Sequence, residues 1–220
     1  VILGILMLCV FGIYNYGLAS DNTNQSIKSQ IRDTELAISV LAKLNVSDVI
    51  SDQKYSRSYF GESWGEIKGC NTRDVILYRD LSESVVNADC LVQSGNLTDP
   101  YTGKLIKFMR GKNTSSSVQI DHVVALSDAW KKGAYKMSQS YREAFANDPL
   151  ELLAVDGPEN IKKSDSDASD WLPKNISYRC EYVSRQIAVK FKYNLWISYR
   201  EAQTIKNILN KCPEQRLPSR

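Results

Sequence analysis

The sequence holds one histidine in 220 residues, so any chemistry that needs an imidazole must use that one. Its cysteines never stand at CxxC spacing and no second histidine is present to complete a zinc set, which argues against a zinc centre. No Asp, Glu, Lys or Arg precedes Asp21. A strong charge imbalance is missing too: 28 Lys and Arg face 25 Asp and Glu, giving +3, which permits a polyanionic partner without requiring one. With 43% hydrophobic residues the chain is too apolar for default disorder and long enough to bury one sizeable core.

The uncharged front is almost continuously apolar (VILGILMLCVFGIYNYGLA), and residues 1–20 read as a signal peptide or a membrane anchor. The remainder is then extracytoplasmic, secreted or membrane-anchored. Downstream lie Cys70, Cys90, Cys180 and Cys212, an even number that suits a disulfide framework in an oxidising compartment. Three connectivities are open; Cys70–Cys90 with Cys180–Cys212 closes each loop within one local unit and is the one we expect.

Residues 21–54 read as a linker and an amphipathic helix, the helix over residues 26–44, where Ile27, Ile31, Ile38 and Leu41 recur at helical spacing. Residues 55–212 form the main domain and 213–220 a tail. Within the domain we expect a short helix over residues 70–81, a strand over 85–92, a turn at Asp99-Pro-Tyr-Thr-Gly103 and a returning strand over 104–109. These strands make a small antiparallel sheet that ends at the histidine. Two helices follow late in the chain, over residues 178–193 and 199–211, the second with a capping box at Ser198 and Glu201. Nine Lys and Arg against three Glu from Arg179 to Arg220 suit either a phosphate-facing surface or a solvated helix face.

A formal G-x-S-x-G occurs at Gly61, Ser63 and Gly65, but a nucleophile elbow needs a buried strand before the serine and a helix after it. The polar lead-in and the two glycines after it offer neither. A different constellation surrounds the histidine. Val118 and Ile120 mark a short strand that ends in Asp121 and His122, and residues 150–155 make a second, followed by a turn and a polar helix carrying Asn160. Hydrolysis of a phosphodiester at a one-metal site needs a base to activate water and a cation to take up charge. His122 is the one available base, and Asp121 with Asn160 makes a hard, oxygen-only ligand pair suited to Mg²⁺ or Mn²⁺.

Taken in order, Cys70-Asn-Thr-Arg-Asp with Arg79-Asp80-Leu81, Asp99-Pro-Tyr-Thr-Gly103, Ile120-Asp121-His122-Val-Val, Phe145-Ala-Asn-Asp148, Leu152-Leu-Ala-Val155, Asn160-x-x-Lys163, Trp171-Leu-Pro173 and Cys180-x-Tyr182 resemble the HNH (His-Me finger) endonucleases. The likeness is to the branch sharing the C-terminal domain of GmrSD restriction endonucleases, which includes small exported bacterial proteins. It implies an α+β fold, a small antiparallel sheet with a ββα-metal core, flanking helices and disulfides. It also implies that His122 is the general base, that Asp121 and Asn160 hold the cation, and that the product carries a 5′-phosphate. Lys163 lies where the family keeps a basic residue able to touch phosphate, and Arg73 and Arg79 recur near the site. HNH motifs commonly place Asn on the second strand to orient the base; the nearest residue by spacing here is Glu151. Glu151 would orient the imidazole through a carboxylate, weaken the site, or sit on the outer face of its strand.

The expected function is therefore that of an exported, metal-dependent endonuclease, acting as a monomer on DNA, with RNA left open as a further substrate. The rival reading is a catalytically inactive binding module of the same fold, for nucleic acid or a protein partner.

Overall fold

Leucine, isoleucine and valine side chains from one helix and two separate sheets meet in a shared layer, and that layer sets the position of the histidine strand. The computed structural model describes residues 35–218. Asn71 starts the helix α2 (Thr72–Asp80) by accepting the Arg73 N–H on its side chain. Its apolar face, Ile76 and Leu77, is fully buried against Leu81, Val92, Leu97, Phe108, Val118, Ile120, Leu152 and Ala154. Burying each side chain of Leu or Ile size contributes about 1.5–3 kcal/mol, so this cluster is a principal source of stability.

The first sheet is antiparallel, in the order β3 (Ser82–Val86), β4 (Val92–Thr98), β5 (Leu105–Met109). The single strand expected over residues 85–92 is instead a hairpin. Asn87 accepts the N–H groups of Asp89 and Leu91 on its side-chain oxygen, and Cys90 adopts a positive φ of 62°. These local bonds outweigh the β propensity of the flanking valines. The Asp99–Gly103 turn forms as expected, with Gly103 at φ 75°. Asp99 also accepts the Asp156 N–H (2.8 Å), which ties this hairpin to the second sheet.

That second sheet is β6 (Val118–His122) paired antiparallel with β7 (Leu152–Asp156), with His122 opposite Leu152. The histidine strand is thus separate from the three-stranded sheet it was expected to end, and α2 packs across both. Between β6 and β7 the chain makes α3 (Leu126–Lys131) and α4 (Gln139–Ala146), the latter capped by Ser138, which accepts the Tyr141 N–H. After β7, Asp156 accepts the Glu159 N–H and opens α5 (Gly157–Lys163). Gly157 is required by contact: a Cβ there would lie 2.1 Å from the Ser116 carbonyl oxygen. The result is a strand–strand–helix unit within an α+β fold of small antiparallel sheets.

The helices α6 (Arg179–Lys192) and α7 (Tyr199–Leu209) complete the body, with α1 (Ala37–Leu41) packed against both. Ser198 caps α7 as expected by accepting the Glu201 N–H, while the Glu201 carboxylate turns to Lys132 and Lys190. The helix expected over residues 26–44 is much shorter in its described part, because Leu36 is in a bridge with Arg216 and Glu35 accepts the Leu217 N–H. Residues 26–34 of that expected helix lie outside the described residues, as do the apolar segment 1–20 and Cys9. Residues 35–54 belong to the body and are not a linker: Val46 bridges to Ile197, Trp196 donates to the Val49 carbonyl and Trp130 to that of Gln53. The tail joins it as well, with Leu217 only 3% exposed, so the compact unit reaches beyond 55–212 at both ends. Both disulfides, Cys70–Cys90 and Cys180–Cys212, pair as expected. Among the described residues no helix is long and apolar enough to cross a membrane.

Candidate active site

His122 closes β6, and its Nε2 lies 2.9 Å from the carbonyl oxygen of Ala146 at the end of α4. A carbonyl can only accept, so Nε2 carries the proton and Nδ1 keeps the free lone pair. The Trp64 indole lies parallel to the ring, with centroids 5.5 Å apart and planes 6° off parallel. Burial pushes the imidazole pKa down to about 3; the Ala146 hydrogen bond opposes this, and the charges of Arg57 and Lys163 add to it. The ring is therefore neutral at pH 7.

Asp121, one residue earlier, faces the opposite way from the strand and is 5% exposed. One carboxylate oxygen accepts the Tyr101 hydroxyl and the other lies 2.9 Å from the ammonium of Lys163. Burial raises the Asp121 pKa, against the lowering effect of Lys163. Burial and the Asp121 charge push the Tyr101 phenol well above its usual value, which keeps it a donor. Lys163 is fully buried and also donates to the His122 carbonyl at 2.8 Å. Asn160, on α5, donates its Nδ2 to Gln119 at 2.9 Å, which leaves its amide oxygen as the atom with spare acceptor capacity.

A cleft of about 360 Å³ brings Asp121, His122 and Asn160 together with Tyr55, Arg57, Ser127, Ser164 and Asp165. Asp165 accepts from Lys131 at 2.9 Å, which holds its pKa down. No group of three or more His, Cys, Asp and Glu side chains that could hold a metal exists among the described residues. The donors at hand are hard oxygens: each Asp121 oxygen retains a second lone pair, and the Asn160 oxygen accepts no hydrogen bond among the described residues. That set fits an ion such as Mg²⁺, which keeps several waters and takes only one or two protein carboxylates.

Other expected site residues are placed elsewhere. Glu151 is fully buried, so it is not on an outer strand face, and both its oxygens accept the Val124 N–H (3.2 and 3.1 Å). It ties down the loop after β6, while the imidazole is held by Ala146. Arg73 donates to the carbonyls of Ser115 and Val118 and lies over the Phe108 ring. Arg79 grips Asp80 and donates to the carbonyls of Pro149 and Leu152. Both arginines thus brace the beginnings of β6 and β7. Ser63 sits in an exposed loop followed by the two-residue strand β1 (Glu66–Ile67), which with β2 (Cys70–Asn71) makes a small hairpin, so no nucleophile elbow forms.

Sequence reasoning missed Trp64, Tyr101, Tyr55 and Arg57. Tyr55, Arg57 and Trp64 carried one available signal, the cluster of four aromatic residues around a single arginine over 55–64. The role of Ala146 had none, because it acts through its backbone.

Residues 72–207 match the family model described as GmrSD restriction endonucleases, C-terminal domain. A protein of Arthroderma benhamiae described as an uncharacterized secreted protein is 37% identical over 185 residues, which is 83% of this chain and 87% of that one. No solved structure matches.

Proposed function

The chain belongs to the family of GmrSD restriction endonuclease C-terminal domains, and we propose from this that it is a secreted, metal-dependent endonuclease hydrolysing phosphodiester bonds of DNA. The observation that carries the reading is the His122–Ala146 contact, which leaves a neutral imidazole with its Nδ1 lone pair free to accept a proton in a polar cleft.

In this reading His122 Nδ1 takes a proton from the attacking water as the in-line displacement begins, and the Ala146 carbonyl stabilises the imidazolium through Nε2–H. Trp64 restricts rotation of the ring. Asp121 and Asn160 hold the divalent cation, Mg²⁺ or Mn²⁺, which when bound supplies positive charge for the phosphate and the leaving oxygen. Lys163 and Tyr101 keep the Asp121 carboxylate in one orientation. Arg73 and Arg79 fix the two strands that carry the site. Secretion is supported by the description of the relative and by two disulfides, which persist in oxidising compartments.

The test is incubation of the oxidised protein with supercoiled plasmid and Mg²⁺ or Mn²⁺, beside EDTA and His122→Ala controls. Nicking abolished by both controls is the expected result. Intact plasmid under each metal, from folded protein, would favour the binding-module reading, with the Lys163 ammonium on Asp121 as the obstacle to a cation.

A further inference from the structure

A phosphodiester entering the cleft brings a negative charge, and the three basic residues that the sequence pattern set beside the histidine are already committed. Lys163 is buried on Asp121, Arg73 on carbonyls before and within β6, and Arg79 on Asp80 and the start of β7. Lys131, at the edge, is paired with Asp165. Arg57 differs. It lines the cleft with His122 and Asn160, is exposed, and forms no ion pair among the described residues; its guanidinium makes one long hydrogen bond, to the Gly61 carbonyl at 3.5 Å. Its charge already acts on the imidazole.

The backbone beneath Arg57 is held firmly. The residue begins a 3-10 turn, Arg57–Phe60, whose Phe60 is fully buried between Trp130 and Phe145, with ring centroids 6.3 and 5.9 Å away. Tyr59 stacks on Trp130 at 4.9 Å, and Arg142 donates to the Tyr59 carbonyl at 2.8 Å. A free guanidinium on a fixed base, beside a proton acceptor, can engage a phosphate through two parallel hydrogen bonds.

We propose that Arg57 binds the phosphate of a nucleic-acid strand in the His122 cleft, so that the binding site is completed by a segment lying before the family-matched residues 72–207. This rests on the nuclease reading. It deepens that reading by assigning substrate binding to a residue outside the family-matched span.

The experiment measures binding of a fluorescein-labelled single-stranded DNA oligonucleotide to the whole protein in EDTA across a salt series, for the wild type, Arg57→Gln and Arg57→Lys. Plasmid cleavage with Mg²⁺ is followed in parallel. Loss of one phosphate contact reduces the slope of log K against log salt by about 0.7. We expect that reduction for Arg57→Gln, with a rise in KM of about tenfold, and a restored slope but weaker binding for Arg57→Lys, whose ammonium keeps the charge without the planar fork. Thermal unfolding of the variants at the wild-type temperature ties the effect to the lost contact. Wild-type binding and slope in Arg57→Gln would overturn the assignment even if the plasmid is cut. A wild type that neither binds nor cuts would overturn both this proposal and the nuclease reading, and the two failures are therefore distinguishable.

Discussion

The Nε2 of His122 lies 2.9 Å from the carbonyl oxygen of Ala146, 24 residues later in the chain, and that one contact decides which imidazole nitrogen is basic. Since the orienting group is backbone, it survives any substitution at Ala146 that leaves α4 in place. The base is the part that can be removed. His122→Ala is expected to lower the rate of plasmid cleavage by about 10²–10⁴-fold, the usual worth of a general base, with its circular dichroism spectrum unchanged. A variant cutting at the wild-type rate would remove His122 from the mechanism.

The depressed pKa of His122 gives a distinctive pH dependence. A base of pKa about 3 is already neutral at pH 6.5, so kcat/KM is expected to show no inflection there and to fall only well below about pH 5. Stability follows the same group. Because the folded pKa lies below the unfolded value of 6.5, unfolding takes up a proton between the two, and stability is lost as pH falls from 6.5 toward 3. This group contributes at most about 1.4 kcal/mol per pH unit to that loss. Urea titrations of wild type and His122→Asn over this window should diverge accordingly.

Trp64 owes its place in the site to the same ring. Replacing it with Leu opens the imidazole to water, and the His122 pKa is expected to rise toward 6.5, with kcat falling about tenfold as the ring gains freedom. Trp64→Phe retains a flat partner and should retain most of the rate. Nitrogen chemical shifts of the single imidazole across a pH series read the pKa directly. An unmoved pKa in Trp64→Leu would show that the indole merely fills space.

The parts of this fold legible in the sequence are those set by local pattern. Alternating apolar residues placed β6, apolar spacing placed α2, a capping box placed the start of α7, and loop locality paired the cysteines. The hairpin between Val86 and Val92 was hidden because Asn87 and Cys90 form the turn within what reads as a valine-bounded strand. Three residues singled out in the sequence, Asp121, His122 and Asn160, share one cleft. Its walls were not. Arg73 and Arg79 recur near the site in the family pattern, yet in the fold they face carbonyls that only tertiary packing brings near. Arg57 and Trp64 reach the histidine across more than fifty residues, a distance that no periodicity encodes.

Lys132 offers a test of how the late helices are held to the site. Its ammonium lies 2.7 Å from Asp128, 2.6 Å from Asp167 and 2.7 Å from Glu201, and Lys190 joins the same buried cluster through Glu201 and Asp128. Removing one partner strands carboxylates away from water. Lys132→Met is expected to cost about 3–5 kcal/mol in urea denaturation. Adding Glu201→Gln to it should recover part of the loss, because three carboxylates then become two. Independent, additive effects would mean that the cluster does not act as a unit.

Glu151 distinguishes tying a loop from orienting a base. Its carboxyl is fully buried and accepts one N–H, from Val124, with no cation paired to it among the described residues. Burial pushes its pKa well above the usual carboxylate value, with the Val124 hydrogen bond and the Lys163 charge opposing. Its neutral form therefore suits the fold, and the wild type loses stability as pH rises from about 4.5 through the folded pKa. Glu151→Gln keeps an acceptor for Val124 and removes the charge, so its stability advantage over wild type should grow with pH across that window. Cleavage should stay within about threefold of wild type, since the imidazole is held by Ala146. Glu151→Ala leaves the Val124 N–H unsatisfied and is expected to cost about 1–3 kcal/mol, plus the cost of the cavity it leaves. A Glu151→Gln protein that is stable but as inactive as His122→Ala would instead make this carboxylate a partner of the base.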